Sequence, residues 1–133
     1  MRILVIDEEA FVREALQRVL AGTATVTTAS DAATGLALLR DSPADLVIID
    51  VVLPAVDGVA AIREIRRDYP HTRVIAIAGS GTSGLSSYRP EAISTNAYLA
   101  ASSVAGAHGT LAKPFETAEL RELIDRVCVS RAS

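Results

Sequence analysis

The sequence lacks most of the features that cross-link small proteins or attach them to nucleic acids and membranes. It has one cysteine, Cys128, so no disulfide can form within the chain. No apolar run approaches the roughly 18 residues that a membrane span needs, and no secretory segment precedes the strand-like residues 2–6. Its 13 basic and 16 acidic residues give a net charge of −3 and form no basic block. We therefore expect a cytoplasmic protein with no membrane partner and no direct nucleic-acid partner.

Half of the residues are apolar, which is enough for one buried core over residues 1–133. Short β-branched runs alternate with amphipathic stretches, a pattern typical of repeated β-α units. The predicted strands cover residues 2–6, 24–29, 45–50, 73–78 and 109–112. The predicted helices cover residues 12–20, a stretch from Ser30 or Asp31 that stops before Pro43, residues 59–69, residues 91–106, and a stretch from Glu116 onward.

The first, third and fourth predicted strands are apolar along most of their length, and strands of this kind belong to parallel sheets that are covered on both faces. Right-handed crossovers then favour an α/β fold in which a five-stranded, doubly wound, flavodoxin-like sheet has the order 2-1-3-4-5 and carries five helices. In such sheets ligands bind at the carboxyl ends of the strands, so the residues at those ends are the candidates for function.

Residues 79–107 interrupt this regular pattern. Gly and Ser crowd the first half of the segment and Pro90 breaks it, so we expect a long exposed loop to about residue 90 and a helix after it. No output domain is recognisable in the sequence. The chain is therefore expected to be either a stand-alone domain or one domain of a longer protein.

Charged residues follow three of the predicted strands. Asp7, Glu8 and Glu9 follow the first, Asp50 ends the third, and Lys113 follows the fifth. Two unit charges about 4 Å apart repel by roughly 4 kcal/mol at an effective dielectric constant near 20, so three carboxylates in one place need a cation. Carboxylate and carbonyl oxygens suit Mg²⁺, and Lys113 adds a second positive charge.

A carboxylate between a divalent cation and a lysine is arranged to attack phosphorus, which makes Asp50 the candidate acceptor of an aspartyl phosphate. Each feature alone has a plainer interpretation. The acids can simply begin a helix, Asp50 can begin a turn, and Lys113 can be an ordinary solvated lysine. Their occurrence at the same end of three strands favours the functional interpretation.

Three segments resemble the response-regulator receiver domains of two-component signalling: "ILVIDEE", "VIIDVVLPAVDG" and "LAKPF". The resemblance covers nearly the whole chain. It implies that Asp50 is the phosphorylation site and that Lys113 contacts the phosphate. It also implies that Mg²⁺ is held by Asp7, Glu8, Asp50 and the backbone carbonyl of Val52.

The resemblance further implies protein partners. A sensor histidine kinase or a histidine phosphotransfer protein would donate the phosphoryl group, and an unidentified downstream protein would receive the signal. Val104 and the outer face of the last helix lie where this family docks partners or dimerises, so a homodimer is a further option. The implied function is not that of an enzyme, beyond self-catalysed phosphorylation and dephosphorylation of Asp50.

Some positions depart from the family pattern. Ala78 stands where the family usually has Thr or Ser, and Thr110 stands where it commonly has an aromatic residue. Ser80, Thr82 or Ser83 are candidates to replace the missing hydroxyl. We expect Asp50 still to be phosphorylated. Because both usual switch residues are absent, we expect the signal to pass instead through reordering of loop 79–90 and the helix after it.

Two other interpretations fit parts of the sequence. Ala78 and Glu8, which is one methylene longer than the usual Asp, also fit a degenerate receiver that acts as a phosphorylation-independent interaction module. The segment "GSGTSG" at 79–84 matches the glycine pattern of dinucleotide-binding enzymes. Pro90 follows it, however, and no acid occurs between Glu91 and Glu116 to bind the ribose, so the context argues against that enzyme class.

Overall fold

Strands and helices alternate along the chain in the computed structural model, which describes residues 1–51, 58–79 and 91–129. The strands within those ranges are β1 (Arg2–Ile6), β2 (Thr25–Ala29), β3 (Leu46–Asp50), β4 (Arg73–Ala78) and β5 (Gly109–Ala112). The helices are α1 (Ala10–Leu20), α2 (Ala32–Asp41), α3 (Gly58–Asp68), α4 (Glu91–Ala105) and α5 (Thr117–Val129). None of the helices in these ranges is long and apolar enough to cross a membrane.

The strands form one parallel sheet in the order β2-β1-β3-β4-β5, which confirms the predicted order. Ile6 of β1 is in register with Ile49 of β3, and Ala78 of β4 is in register with Ala112 of β5. The carboxyl ends of β1, β3 and β5 therefore lie along the same edge of the sheet.

Side chains from both faces of the sheet are buried beneath helices. On one face, Leu4, Ile6, Val47 and Ile49 pack with residues of α2 and α3, and α4 adds half-buried side chains such as Leu99. On the other face, α1 and α5 cover the remaining inward residues of the strands. Burial of both faces explains why the central strands read as continuous apolar runs rather than as alternating ones.

Local sequence signals fix the starts of two helices. Asp31 caps α2 by accepting a hydrogen bond of 2.7 Å from the backbone N–H of Thr34, which confirms one of the two predicted caps. At the start of α3, a Cβ atom on Gly58 would lie 2.5 Å from the Cα atom of Val51. Only glycine lets α3 begin this close to the end of β3.

Candidate functional site

Acidic residues from two neighbouring strands meet at the carboxyl edge of the sheet. Asp7 directly follows β1 and is fully buried, and Asp50 is the last residue of β3 and is 3% exposed. The sequence prediction that these two residues come together is consistent with this geometry. Two buried carboxylates at one edge require a compensating positive charge.

Lys113, the residue that follows β5, supplies a positive charge from across β4, the strand between β3 and β5. Its Nζ atom lies 2.9 Å from Asp7 Oδ2, 2.9 Å from Asp50 Oδ2 and 3.1 Å from Glu9 Oε1. We call these four residues the Lys113 pocket. Lys113 is the only lysine in the sequence, and its side chain is 6% exposed. One buried cation therefore faces three carboxylates.

The protonation state of Lys113 follows from these contacts. Burial by itself lowers the pKa of the ammonium group, but the negative charge of Asp50 and the close contacts of Asp7 and Asp50 outweigh burial and raise it well above its ordinary value. Lys113 therefore carries its positive charge throughout the neutral pH range.

Backbone contacts fix the orientation of Asp7. Its Oδ1 atom accepts a hydrogen bond of 2.9 Å from the backbone N–H of Glu9, and Arg13 Nη1 donates one of 2.7 Å to its carbonyl oxygen. The other carboxylate oxygen, Oδ2, thus points toward Lys113. Sequence reasoning missed Arg13, which looked like an ordinary residue on the polar face of α1.

Glu9, rather than Glu8, reaches the Lys113 pocket. Glu9 is at the N-cap position of α1, yet its side chain makes no capping hydrogen bond and lies against Lys113. Glu8, the predicted metal ligand, is exposed. The run of three acids signalled that one of them turns inward, but not which one. Metal binding by Glu8 stays a prediction.

The backbone of β4 positions Lys113. The Lys113 N–H donates a hydrogen bond of 2.7 Å to the carbonyl of Ala78, which is fully buried. Gly79 has φ +151°, and a Cβ atom there would lie 2.8 Å from Lys113 Cβ. Glycine thus allows β4 to run directly against the backbone that carries the lysine.

The remaining predicted positions are distributed differently. Thr110, one of the two atypical switch positions, is half-buried in β5 and pairs with Ala76. Val52, Ser80, Thr82 and Ser83 lie outside the described residues. Apart from Gly79, so does the glycine-rich segment 79–84.

The carboxylates of the pocket suit a divalent cation. Among the described residues, oxygen atoms of Asp7, Glu9 and Asp50 lie within 4.8 Å of one another and could hold a metal ion. Asp7 Oδ2 is buried and ion-paired with Lys113, but accepts no hydrogen bond of normal geometry. A buried carboxylate oxygen of this kind, beside two more carboxylates, is a donor set that Mg²⁺ accepts.

Comparison with known proteins gives consistent matches to one family. The family model described as response regulator receiver domain matches residues 3–125. The chemotaxis protein CheY of Bacillus subtilis (strain 168) is 28% identical over 127 residues, which are 94% of this chain and 95% of CheY. The DNA-binding transcriptional regulator NtrC of Escherichia coli (strain K12) is also 28% identical, but the match spans 93% of this chain and only 24% of NtrC.

Solved structures show the same fold. The receiver domain of NtrX from Brucella abortus superposes with a TM-score of 0.80 at 27% identity, covering 96% of this chain and 98% of that domain. A response regulator receiver domain protein from Clostridium thermocellum superposes with a TM-score of 0.81 at 26% identity, covering 98% and 96% of the two chains.

Proposed function

Because the chain belongs to the family of response regulator receiver domains, we propose that Asp50 accepts a phosphoryl group from a phosphohistidine donor in a Mg²⁺-dependent reaction. The donor is a sensor histidine kinase or a histidine phosphotransfer protein. One observation carries the proposal: the Asp50 carboxylate ends β3 within 2.9 Å of Lys113 Nζ and beside the buried Asp7.

In the proposed reaction a carboxylate oxygen of Asp50 forms a bond to phosphorus while the bond from phosphorus to the donor histidine nitrogen breaks. The electron pair of the broken bond stays on the imidazole, which then takes up a proton. Lys113 stabilises the negative oxygens of the transferring group because its ammonium is already in place and desolvated. The protein thus contributes mainly position and charge and does not act as an enzyme on a separate substrate.

Asp7 and Asp50 are the carboxylates that would hold Mg²⁺, together with the backbone carbonyl of Val52. The third acidic side chain is Glu8, by its position in the sequence, whereas Glu9 contacts Lys113. A bound Mg²⁺ would neutralise charge on the phosphoryl oxygens.

Phosphorylation is proposed to switch protein–protein interactions with a downstream target. The route is the segment 79–90, with Ser80 as a candidate hydroxyl, followed by α4. Support comes from α4, which contacts both β4 and β5, and from Ala78 and Thr110, which cannot act as the usual hydroxyl and aromatic pair. Dimer formation and a cytoplasmic location belong to the same proposal.

The test is phosphate incorporation from acetyl phosphate. Wild type incubated with Mg²⁺ and acetyl phosphate is expected to gain one phosphate, detected by intact mass spectrometry, and chelation of Mg²⁺ should prevent it. Asp50→Asn should gain none. Asp41→Asn, which changes an exposed aspartate at the end of α2, should behave like wild type. Phosphate on Asp50→Asn, or none on wild type, would refute the proposal.

Ala78 gives weight to a second candidate, a phosphorylation-independent interaction module. The buried methyl group of Ala78 offers no hydroxyl to a phosphate at the end of β4. This candidate predicts that wild type takes up no phosphate even with saturating Mg²⁺, and that Asp50→Asn leaves partner binding intact.

A further inference from the structure

Glu9 is the outermost carboxylate of the Lys113 pocket. Its side chain is 25% exposed, whereas the side chains of Asp7 and Asp50 are 0% and 5% exposed. It occupies the N-cap position of α1 without capping that helix. Its described side-chain contact is the ion pair with Lys113, so its place at the N-terminus of α1 directs it toward the lysine.

Lys113 and a divalent cation would compete for the same two buried carboxylates. Lys113 Nζ lies 2.9 Å from an oxygen of Asp7 and 2.9 Å from an oxygen of Asp50. A divalent ion at these carboxylates neutralises them and repels the nearby ammonium. If Asp7 and Asp50 were its only partners, no negative charge would keep the Lys113 ammonium in the pocket once the ion was bound.

Glu9 resolves this competition. We propose that Glu9 is a positioning residue that keeps Lys113 in the pocket when a divalent cation engages Asp7 and Asp50. The ion pair between Glu9 Oε1 and Lys113 Nζ is 3.1 Å long, and Glu9 is the most exposed of the three carboxylates that contact the lysine. This inference rests on the proposed function, since a phosphoacceptor site needs the divalent ion and the lysine together.

The single lysine makes the inference measurable. Because Lys113 is the only lysine, an amine-reactive ester can acylate one side-chain amine and the N-terminus, and peptide mass spectrometry separates the two. The variant is Glu9→Gln, and the matched control is Glu14→Gln, which makes the same change on an exposed side chain of α1. Mg²⁺ is added to equal saturation for each protein, as set by calorimetric titration.

The expected result depends on the ion. In chelator, Lys113 of Glu9→Gln should stay as protected as in wild type, because Asp7 and Asp50 still hold it. In saturating Mg²⁺, Lys113 of Glu9→Gln should be acylated about tenfold faster or more, as expected when a buried ammonium loses its last close ion pair. Wild type and Glu14→Gln should remain protected under both conditions.

Three outcomes would overturn the inference: unchanged protection of Glu9→Gln in Mg²⁺, rapid acylation of Glu9→Gln already in chelator, or the same loss of protection in Glu14→Gln. The second would mean that Glu9 only supports the local fold. Phosphate incorporation is measured in parallel. If wild type takes up phosphate but Lys113 of Glu9→Gln stays protected in Mg²⁺, only the role of Glu9 is refuted. If Lys113 is acylated as expected but wild-type Asp50 takes up no phosphate, only the proposed function is refuted.

Discussion

Lys113 and its three carboxylates leave the pocket with an excess of negative charge. Replacing Lys113 by Gln removes the buried ammonium that contacts Asp7, Glu9 and Asp50. We expect the free energy of unfolding in chelator to fall by about 3 kcal/mol or more. This is the usual cost of removing one partner of a buried ion pair, because the other charge is left buried and uncompensated. Saturating Mg²⁺ should restore part of this loss, because a divalent ion replaces the missing charge.

Urea unfolding followed by circular dichroism measures this effect, since the sequence has no tryptophan for fluorescence. The control is Arg63→Gln, which removes an exposed cation in the middle of α3 and should change stability by no more than about 0.5 kcal/mol. If Lys113→Gln is as stable as the control in chelator, the carboxylates do not depend on the lysine.

Sequence reasoning identified Asp7, Asp50 and Lys113 because each ends or directly follows a strand whose apolar run fixes its position. It did not identify Glu9. The turn between β1 and α1 has no periodic pattern, so three consecutive acids give no sign of which side chain turns inward. The inward direction of Glu9 is set by the first turn of α1 and by the hydrogen bond from its N–H to Asp7.

At the opposite edge of the sheet, a histidine side chain takes part in strand pairing. His108 lies just before β5. Its ring nitrogen Nδ1 accepts a hydrogen bond of 3.0 Å from the backbone N–H of Val74, and the backbone N–H of His108 donates a hydrogen bond to the Val74 carbonyl. Burial lowers the pKa of His108 below its ordinary value of 6.5, and the positive charges of Arg66 and Arg73 lower it further. The folded protein therefore keeps this imidazole neutral.

Protonation of His108 should weaken the pairing of β4 and β5. Because the unfolded chain binds this proton near pH 6.5 and the folded chain resists it, the free energy of unfolding should fall as the pH drops below about 6.5. Urea unfolding of wild type and His108→Gln between about pH 7 and pH 5.5 measures the difference in slope. The Gln amide oxygen can accept the same hydrogen bond without titrating, so its slope should be shallower.

The other imidazole provides the control for this experiment. His71 is exposed, and His71→Gln should leave the wild-type slope unchanged. An equal change of slope in both variants would show that the pairing contact of His108 is not the cause.

The junction of β3 and α3 depends on Gly58. A Cβ atom at this position would press against the backbone of Val51, the residue after Asp50, so Gly58→Ala should destabilise the protein by about 2 kcal/mol or more. Gly22→Ala is the matched control, because a Cβ atom at Gly22 would have no neighbour within 4 Å. That variant should be neutral or slightly more stable in urea unfolding. Equal stability of the two variants would contradict the packing argument.

The elements themselves were largely predictable. The predicted bounds of β1, β4 and β5 match the structure, and β2 and β3 each begin one residue later than predicted. Apolar runs with β-branched residues gave a clear signal for these strands. Helix starts were less accurate: α1 begins at Ala10 rather than at residue 12, because its first turn lacks the apolar spacing that marks the rest of the helix.

Over the whole molecule, the proposed site and the proposed docking surface lie on different elements. The site is at the carboxyl edge of β1, β3 and β5, whereas the exposed apolar side chains of α4 include Tyr98, 37% exposed, and Val104, 84% exposed. The sequence placed Val104 on this surface by family resemblance alone. Dimerisation or docking there stays a prediction, because apolar exposure at single residues is common in proteins without partners.

The order β2-β1-β3-β4-β5 also bears on how the chain reaches its fold. Each paired strand is separated from its neighbour by at least one helix, and β1 meets β3 only across α1, β2 and α2. No pair can close as a hairpin, so loop-closure entropy and high contact order should slow folding. Once β3 has emerged from the ribosome, however, the three strands of the amino-terminal half can already assemble, and the growing chain can add β4 and β5 to an existing template.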